Sequence, residues 1–142
     1  MFDENGNLPQ GVHELSWKDF YQQFGWNEHR RNLLGGMLVA LRHLKSIGCQ
    51  GVYVDGSFVT AKESPADYDA CWEKTGMQLQ LLHAALRDFT PGRLRQKALF
   101  GGEWFPADVH ADSSGTTFIE FFQIDREGNA KGIVTLNLEE LP

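Results

Sequence analysis

Hydrophobic residues recur along this chain in two rhythms, and the switch between them marks out its elements. Trp17, Phe20, Tyr21 and Phe24 fall three or four residues apart, the spacing of one helix face. Ser16 with Asp19 three residues on resembles a capping box, with the shorter acid in the second place. Gly25 is a natural stop. The pattern predicts a short amphipathic helix over 17–24. A longer run follows Asn27, a good N-cap. Leu33, Leu34, Met37, Leu38, Leu41 and Leu44 predict a helix reaching about Ile47, with Gly48 to end it. Gly35-Gly36 inside it costs about 1 kcal/mol per residue relative to alanine, which implies close packing against a neighbour such as the sheet. Arg30, Arg31, Arg42, His43 and Lys45 read as a solvated basic face, a subset of which could meet an anionic partner.

After Gln50 the rhythm turns to that of strands. Residues 50–55 predict a first strand, broken at Gly56-Ser57. Pro65 opposes regular helix just before Asp67. Residues 67–73 predict a second strand, with Tyr68, Ala70 and Trp72 on one face and Asp67, Asp69, Cys71 and Glu73 on the other. Thr75 with Gln78 then predicts a capped helix whose stripe is Leu79, Leu82, Leu86 and Phe89. Thr90-Pro91 supplies a cap and a first-turn proline for a short helix bearing Arg93, Arg95 and Lys97. Residues 103–107 predict a third strand, 111–115 a polar loop, and 117–124 a strand rich in aromatic and β-branched residues. Turn chemistry at 125–130 and alternation over 131–138 complete a hairpin. Residues 1–12, with Gly6, Pro9 and Gly11, read as an extended arm. The expected architecture is α+β, a mixed and largely antiparallel sheet with helices packed on one side, in one domain over 1–142.

Composition narrows the picture. The chain has 142 residues, 42% apolar and 23% charged, ordinary values for a folded domain. No apolar run approaches a membrane span. The polar, acidic start is not that of a targeting signal, so a cytoplasmic protein without membrane contact is expected. Cys49 and Cys71 lack zinc-site spacing and read as two reduced, partly buried thiols. The five histidines show no ligand spacing. A net charge of −6 argues against a broad electrostatic grip on nucleic acid, but it leaves room for an anion held with a metal.

The candidate chemistry lies in YVDGSFVTAKESPADYDACW, residues 53–72. On a strand, Asp67 and Asp69 project from the same face about 7 Å apart along the backbone. Such a pair repels itself unless a cation joins it or one member takes a proton. Asp55, just before Gly56, reads equally as a strand-end surface acid or as a further member of the acidic pocket. Alone, the Asp-x-Asp pair is also explained as a solvated turn.

A strand ending in Gly56-Ser57, about ten residues, then Asp67-Tyr68-Asp69 resembles the polymerase-β-like nucleotidyltransferase superfamily, whose small members are the minimal nucleotidyltransferases of prokaryotes. The wider sequence, through FDENGNLP, DGSFVTAKESPADYDACW, GGEWFPAD, FIEFFQIDREG and KGIV, is similar to an uncharacterised bacterial nucleotidyltransferase-like group. The resemblance implies that Gly56 and Ser57 start a helix and contact the phosphates of a nucleoside triphosphate, with Lys62 as a further phosphate contact or else a solvated loop lysine. It implies that Asp67 and Asp69 bind Mg²⁺ with a third acid. Glu103 is the first choice for that acid, with Glu120 and Asp108 as alternatives. Arg93, Arg95 and Lys97 are either the polar side of a short helix or a contact for triphosphate or RNA. The implied activity moves a nucleoside monophosphate onto a hydroxyl of protein, RNA or a small molecule, with a protein or tRNA partner of the toxin–antitoxin or defence type. The alternative is an inactive member of the fold that grips a partner as an antitoxin or regulator. Oligomeric state stays open; paired arms and an edge offered by the 117–138 hairpin would make a homodimer.

Overall fold

The computed structural model describes residues 1–107, 123–124 and 127–142. The loop at 111–115, most of the strand expected at 117–124, His110, and the alternative acids Asp108 and Glu120 lie outside the described residues. The elements run β1 (Val12–Leu15), α1 (Trp17–Phe24), α2 (Glu28–Ser46), β2 (Gly51–Asp55), β3 (Tyr68–Trp72), α3 (Leu94–Phe100), β4 (Gly102–Pro106) and β5 (Ile133–Asn137), with short 3₁₀ turns between them. The α+β class holds. Among the described residues the sheet order is β1-β5-β2-β3-β4. The central pairings, β5 with β2 and β2 with β3, are antiparallel. The outer ones, β1 with β5 and β3 with β4, are parallel.

Local chemistry starts the first two helices where expected. The Ser16 hydroxyl accepts from the Asp19 N–H at 3.1 Å, and the Asn27 side chain from the Arg30 N–H at 2.8 Å; each satisfies a donor the helix leaves orphaned. Phe20, Phe24, Leu34, Met37, Leu41 and Leu44 are fully buried. They share one core with Val52, Val54, Tyr68, Ala70, Trp72, Trp104, Val134 and Leu136. Those sheet residues are alternate positions of β2 to β5, so the helices cover one face, and each large apolar side chain among them adds about 1.5–3 kcal/mol by leaving water.

Several expectations are corrected. The arm at 1–12 is not free. Leu8 enters the core, Asn7 bridges to Thr60, and the chain pairs with β5 from Val12 onward. The strand expected to return in a hairpin over 131–138 is β5, and it is not an edge, because β1 and β2 take its two sides. Gly36 packs on α3 rather than on the sheet: a Cβ there would strike the Phe100 backbone. No helix spans 79–89. Gly76 turns the chain at φ 84°, and the Gln78 N–H is taken by the Ile47 carbonyl. The Arg87 guanidinium occupies the carbonyls of Leu79 and Leu82, acceptors a helix would use itself. Two 3₁₀ turns, Leu79–Leu81 and Ala84–Arg87, remain. Thr90 and Pro91 do not cap α3 either; they belong to a turn closed by the Arg93 N–H on the Thr90 carbonyl, and the helix begins after Arg93 at φ 51°.

Arg30 is the largest departure from the solvated basic face. It is completely buried. Its guanidinium donates to the carbonyls of Phe24, Phe58, Thr60 and Lys62 at 2.7–3.3 Å and lies 3.6 Å over the Trp26 ring. Burial lowers its pKa to about 10, so it stays charged at neutral pH. Asn27 and His29 add bonds to the Glu63 and Pro65 carbonyls. Asn27 and the first turn of α2 thereby fasten the segment from Phe58 to Pro65. Among the described residues, no helix is long and apolar enough to cross a membrane.

Candidate functional site

Three adjacent strands bring the acids together. The β2–β3 register sets Asp55 opposite Asp69, and the β3–β4 register sets Asp69 beside Glu103. Cross-strand partners share a face, so the three carboxylates form a row on the face away from the helix-covered core, one strand spacing of about 4.8 Å apart. Asp67 precedes Asp69 by two residues and joins the same group. The Lys97 ammonium, from α3, lies 3.4 Å from Asp67 Oδ2 and 3.2 Å from Glu103 Oε1. Of the three acids weighed as the third wall, Glu103 is the one the described residues place against the pair.

Gly56 makes room for the row. Its φ of 84° belongs to the left-handed region, and a Cβ there would run into the Asp69 carboxylate. The backbone therefore turns directly beneath that side chain. Ser57 opens only a three-residue 3₁₀ turn, Ser57–Val59, rather than the longer helix implied by the resemblance. The turn is closed by the Thr60 hydroxyl and N–H, both donating to the Ser57 carbonyl. The Lys62 side chain is exposed, and it is the Lys62 carbonyl that Arg30 holds.

The electrostatics follow from this crowding. Burial, then the charges of Asp67, Glu103 and Asp55, raise the Asp69 pKa to about 8; a hydrogen bond to Glu103 acts in the same direction. Burial raises Asp55 to about 6, opposed by Lys131. Asp55 is 2% exposed, with Lys131 Nζ 3.3 Å from its Oδ1. Neither Asp55 oxygen has a well-directed hydrogen-bond partner among the described residues. The Lys97 pKa is raised, first by its hydrogen bond to Glu103.

The donor set suits a hard divalent cation such as Mg²⁺, which takes carboxylate oxygens and keeps water or phosphate as its other ligands. The buried Asp55 Oδ2, without a hydrogen-bond partner among the described residues, is consistent with such a guest. In the conformation described, with an ammonium between Asp67 and Glu103, no three His, Cys, Asp or Glu side chains among the described residues converge as ligands.

The remaining basic residues divide. Arg93 stands between two rings, with its guanidinium carbon 4.9 Å from the Phe89 centroid and 4.8 Å from that of Phe105, while Arg95 is exposed. Lys131 carried no sequence signal beyond its place just ahead of β5. Asp55 carried one: an acid ending an otherwise apolar strand. Both cysteines are free and buried, and burial raises both thiol pKa values, that of Cys49 to about 11. Two surface cavities of about 430 and 340 Å³ lie elsewhere, one beside Trp17, Tyr21 and Pro142 and the other beside Leu8, His13 and Phe24.

The chain belongs to a family of unknown function, DUF6932, which it matches over residues 1–137. No curated protein and no solved structure matches it.

Proposed function

We propose that this protein is a Mg²⁺-dependent nucleotidyltransferase that moves a nucleoside monophosphate from a nucleoside triphosphate to a hydroxyl of a protein, an RNA or a small molecule. The observation that carries the reading is the β2–β3–β4 register, which gathers Asp55, Asp69 and Glu103 in one row with Asp67 beside them. Asp67, Asp69 and Glu103 would hold the cation, with Asp55 behind them. Bound there, magnesium would neutralise phosphate charge and acidify the attacking hydroxyl. Gly56 lets the backbone and the Asp69 carboxylate approach one another. The acids outnumber Lys97 and Lys131, so the group favours a triphosphate that brings its cation over a bare one. Arg30 holds the 58–62 segment fixed, so that positioning is established before substrate arrives. The acceptor oxygen forms a bond to the α-phosphorus as the bond to pyrophosphate breaks; pyrophosphate leaves, and the hydroxyl proton passes to water.

The test is transfer of label from an α-labelled nucleoside triphosphate in Mg²⁺, offered protein, tRNA and small-molecule acceptors. Asp67→Ala and Asp69→Ala should abolish transfer. Unchanged transfer in both variants would sink the assignment.

One observation favours a second reading, a binding protein that keeps the fold without the chemistry. Lys97 already offsets part of the charge of Asp67 and Glu103 from within the chain. Thermal shift separates the two. A ligand at 100 times its dissociation constant adds about 2.7 kcal/mol, so magnesium with a cognate nucleotide should raise Tm clearly. No shift with any nucleoside triphosphate would favour the binding protein.

A further inference from the structure

Resting on the metal reading above, we propose that Lys97 is an internal counterion of this site: a divalent cation must displace it from Asp67 and Glu103, and the freed ammonium then pairs with the polyphosphate that arrives with the cation. The consequence is selectivity. The site takes free divalent cation weakly and the cation–polyphosphate complex well.

Four features support this. Lys97 bridges one acid just before β3 and another on β4, 3.4 and 3.2 Å away, which is where a cation shared by those acids would sit. Two cations with full charge cannot occupy that place together without strong repulsion. The bridge is also open to exchange, since the Lys97, Asp67 and Glu103 side chains are 37%, 29% and 26% exposed. By contrast, the backbone beneath Lys97 is anchored. Gln96, its neighbour, is fully buried and accepts from the Trp104 N–H at 2.8 Å. Tyr68 donates to the Phe100 carbonyl at 2.6 Å at the end of the same helix. Only the lysine's flexible stem needs to swing, and a four-carbon stem pivoting on fixed backbone keeps its ammonium beside the site. The partly buried wall behind is acidic and incompletely paired, with Asp55 Oδ2 lacking a hydrogen-bond partner among the described residues. Loss of the lysine from the acids therefore creates a demand for positive charge that a divalent ion meets.

The experiment compares wild type with Lys97→Met and Lys97→Arg. Mn²⁺ is the first probe, its free concentration read by electron paramagnetic resonance in the absence of any phosphate. Lys97→Met should bind Mn²⁺ about tenfold more tightly than wild type, the size expected for removing one nearby competing charge at a partly exposed site. Lys97→Arg, which keeps the charge, should stay near wild type. The second probe is magnesium tripolyphosphate, which contains no group to transfer, titrated calorimetrically in saturating Mg²⁺. Here Lys97→Met should bind about tenfold more weakly, because the ammonium–phosphate pair is gone. Mn²⁺ binding no tighter in Lys97→Met overturns the displacement. Tripolyphosphate binding undiminished in Lys97→Met overturns the hand-over to phosphate. Failure of all three proteins to bind Mn²⁺ overturns the metal reading itself, and this inference with it.

Discussion

The two faces of β2, β3 and β4 are built from alternate residues of the same strands, yet they are organised by opposite physics. On the helix-covered face, Val52, Val54, Tyr68, Ala70 and Trp104 are fully buried in one core. Their polar atoms are paired within the protein: Trp104 Nε1 donates to the Tyr68 hydroxyl at 3.1 Å, and that hydroxyl donates to Phe100. On the other face, Asp55, Asp69 and Glu103 stand side by side, and the charge they share is only partly met by Lys97 and Lys131. One face stabilises the fold. The other stores unfavourable charge that the first must offset. Carboxylates crowded in this way cluster at functional sites, and that is the physical ground on which the proposal above rests.

The contrast can be broken from either side. The largest effect is expected on the apolar face. Trp104→Ala removes a fully buried side chain and its bond to Tyr68, and should lower stability by about 3–5 kcal/mol in chemical denaturation. The acidic face should respond with the opposite sign. Asp69→Asn removes a charge from the row, and in metal-free protein above pH 8 it should raise stability by on the order of 1–3 kcal/mol. The pH profile sharpens this. A carboxyl whose folded pKa is raised holds its proton in the native state after the unfolded chain has lost it. Its contribution is complete below the unfolded value of 3.8 and is lost as pH rises through about 8 for Asp69 and about 6 for Asp55. Metal-free wild type should therefore lose stability steadily between about pH 4 and 8, whereas Asp69→Asn should lose it mainly between about pH 4 and 6. Identical Tm profiles for the two proteins would show that the row is not charged in the way described. The smallest effect is expected at Lys62, whose side chain is exposed and whose carbonyl does the structural work. Lys62→Ala should change stability by less than about 0.5 kcal/mol. A larger loss would mean that the loop depends on more than Arg30.

Local signals were enough where partners lie within one helical turn or one strand. Ser16 and Asn27 cap their helices because each bond spans three residues. The same logic failed at 79–89. The leucine spacing there is helical, but Ile47 and Arg87 claim the donors and acceptors, and neither claim is visible in a local pattern. Arg30 is a similar case. Its type predicts solvent, and only the convergence of carbonyls from residues 24 and 58–62 makes complete burial tolerable.

For the site, the sequence by itself determined that Asp67 and Asp69 share a face, because side chains two apart on an extended chain must do so, and that a glycine turn precedes them. It also set the residue types, four carboxylates within about fifty residues, which is the donor chemistry on which the magnesium proposal rests. Tertiary structure alone decided which acids meet. The parallel pairing of β3 with β4 is a choice of register between segments more than thirty residues apart, and a slip of one residue would turn Glu103 to the opposite face. It also decided that the gap between Asp67 and Glu103 is bridged by Lys97, since an ion pair is set by where α3 docks and not by any spacing along the chain.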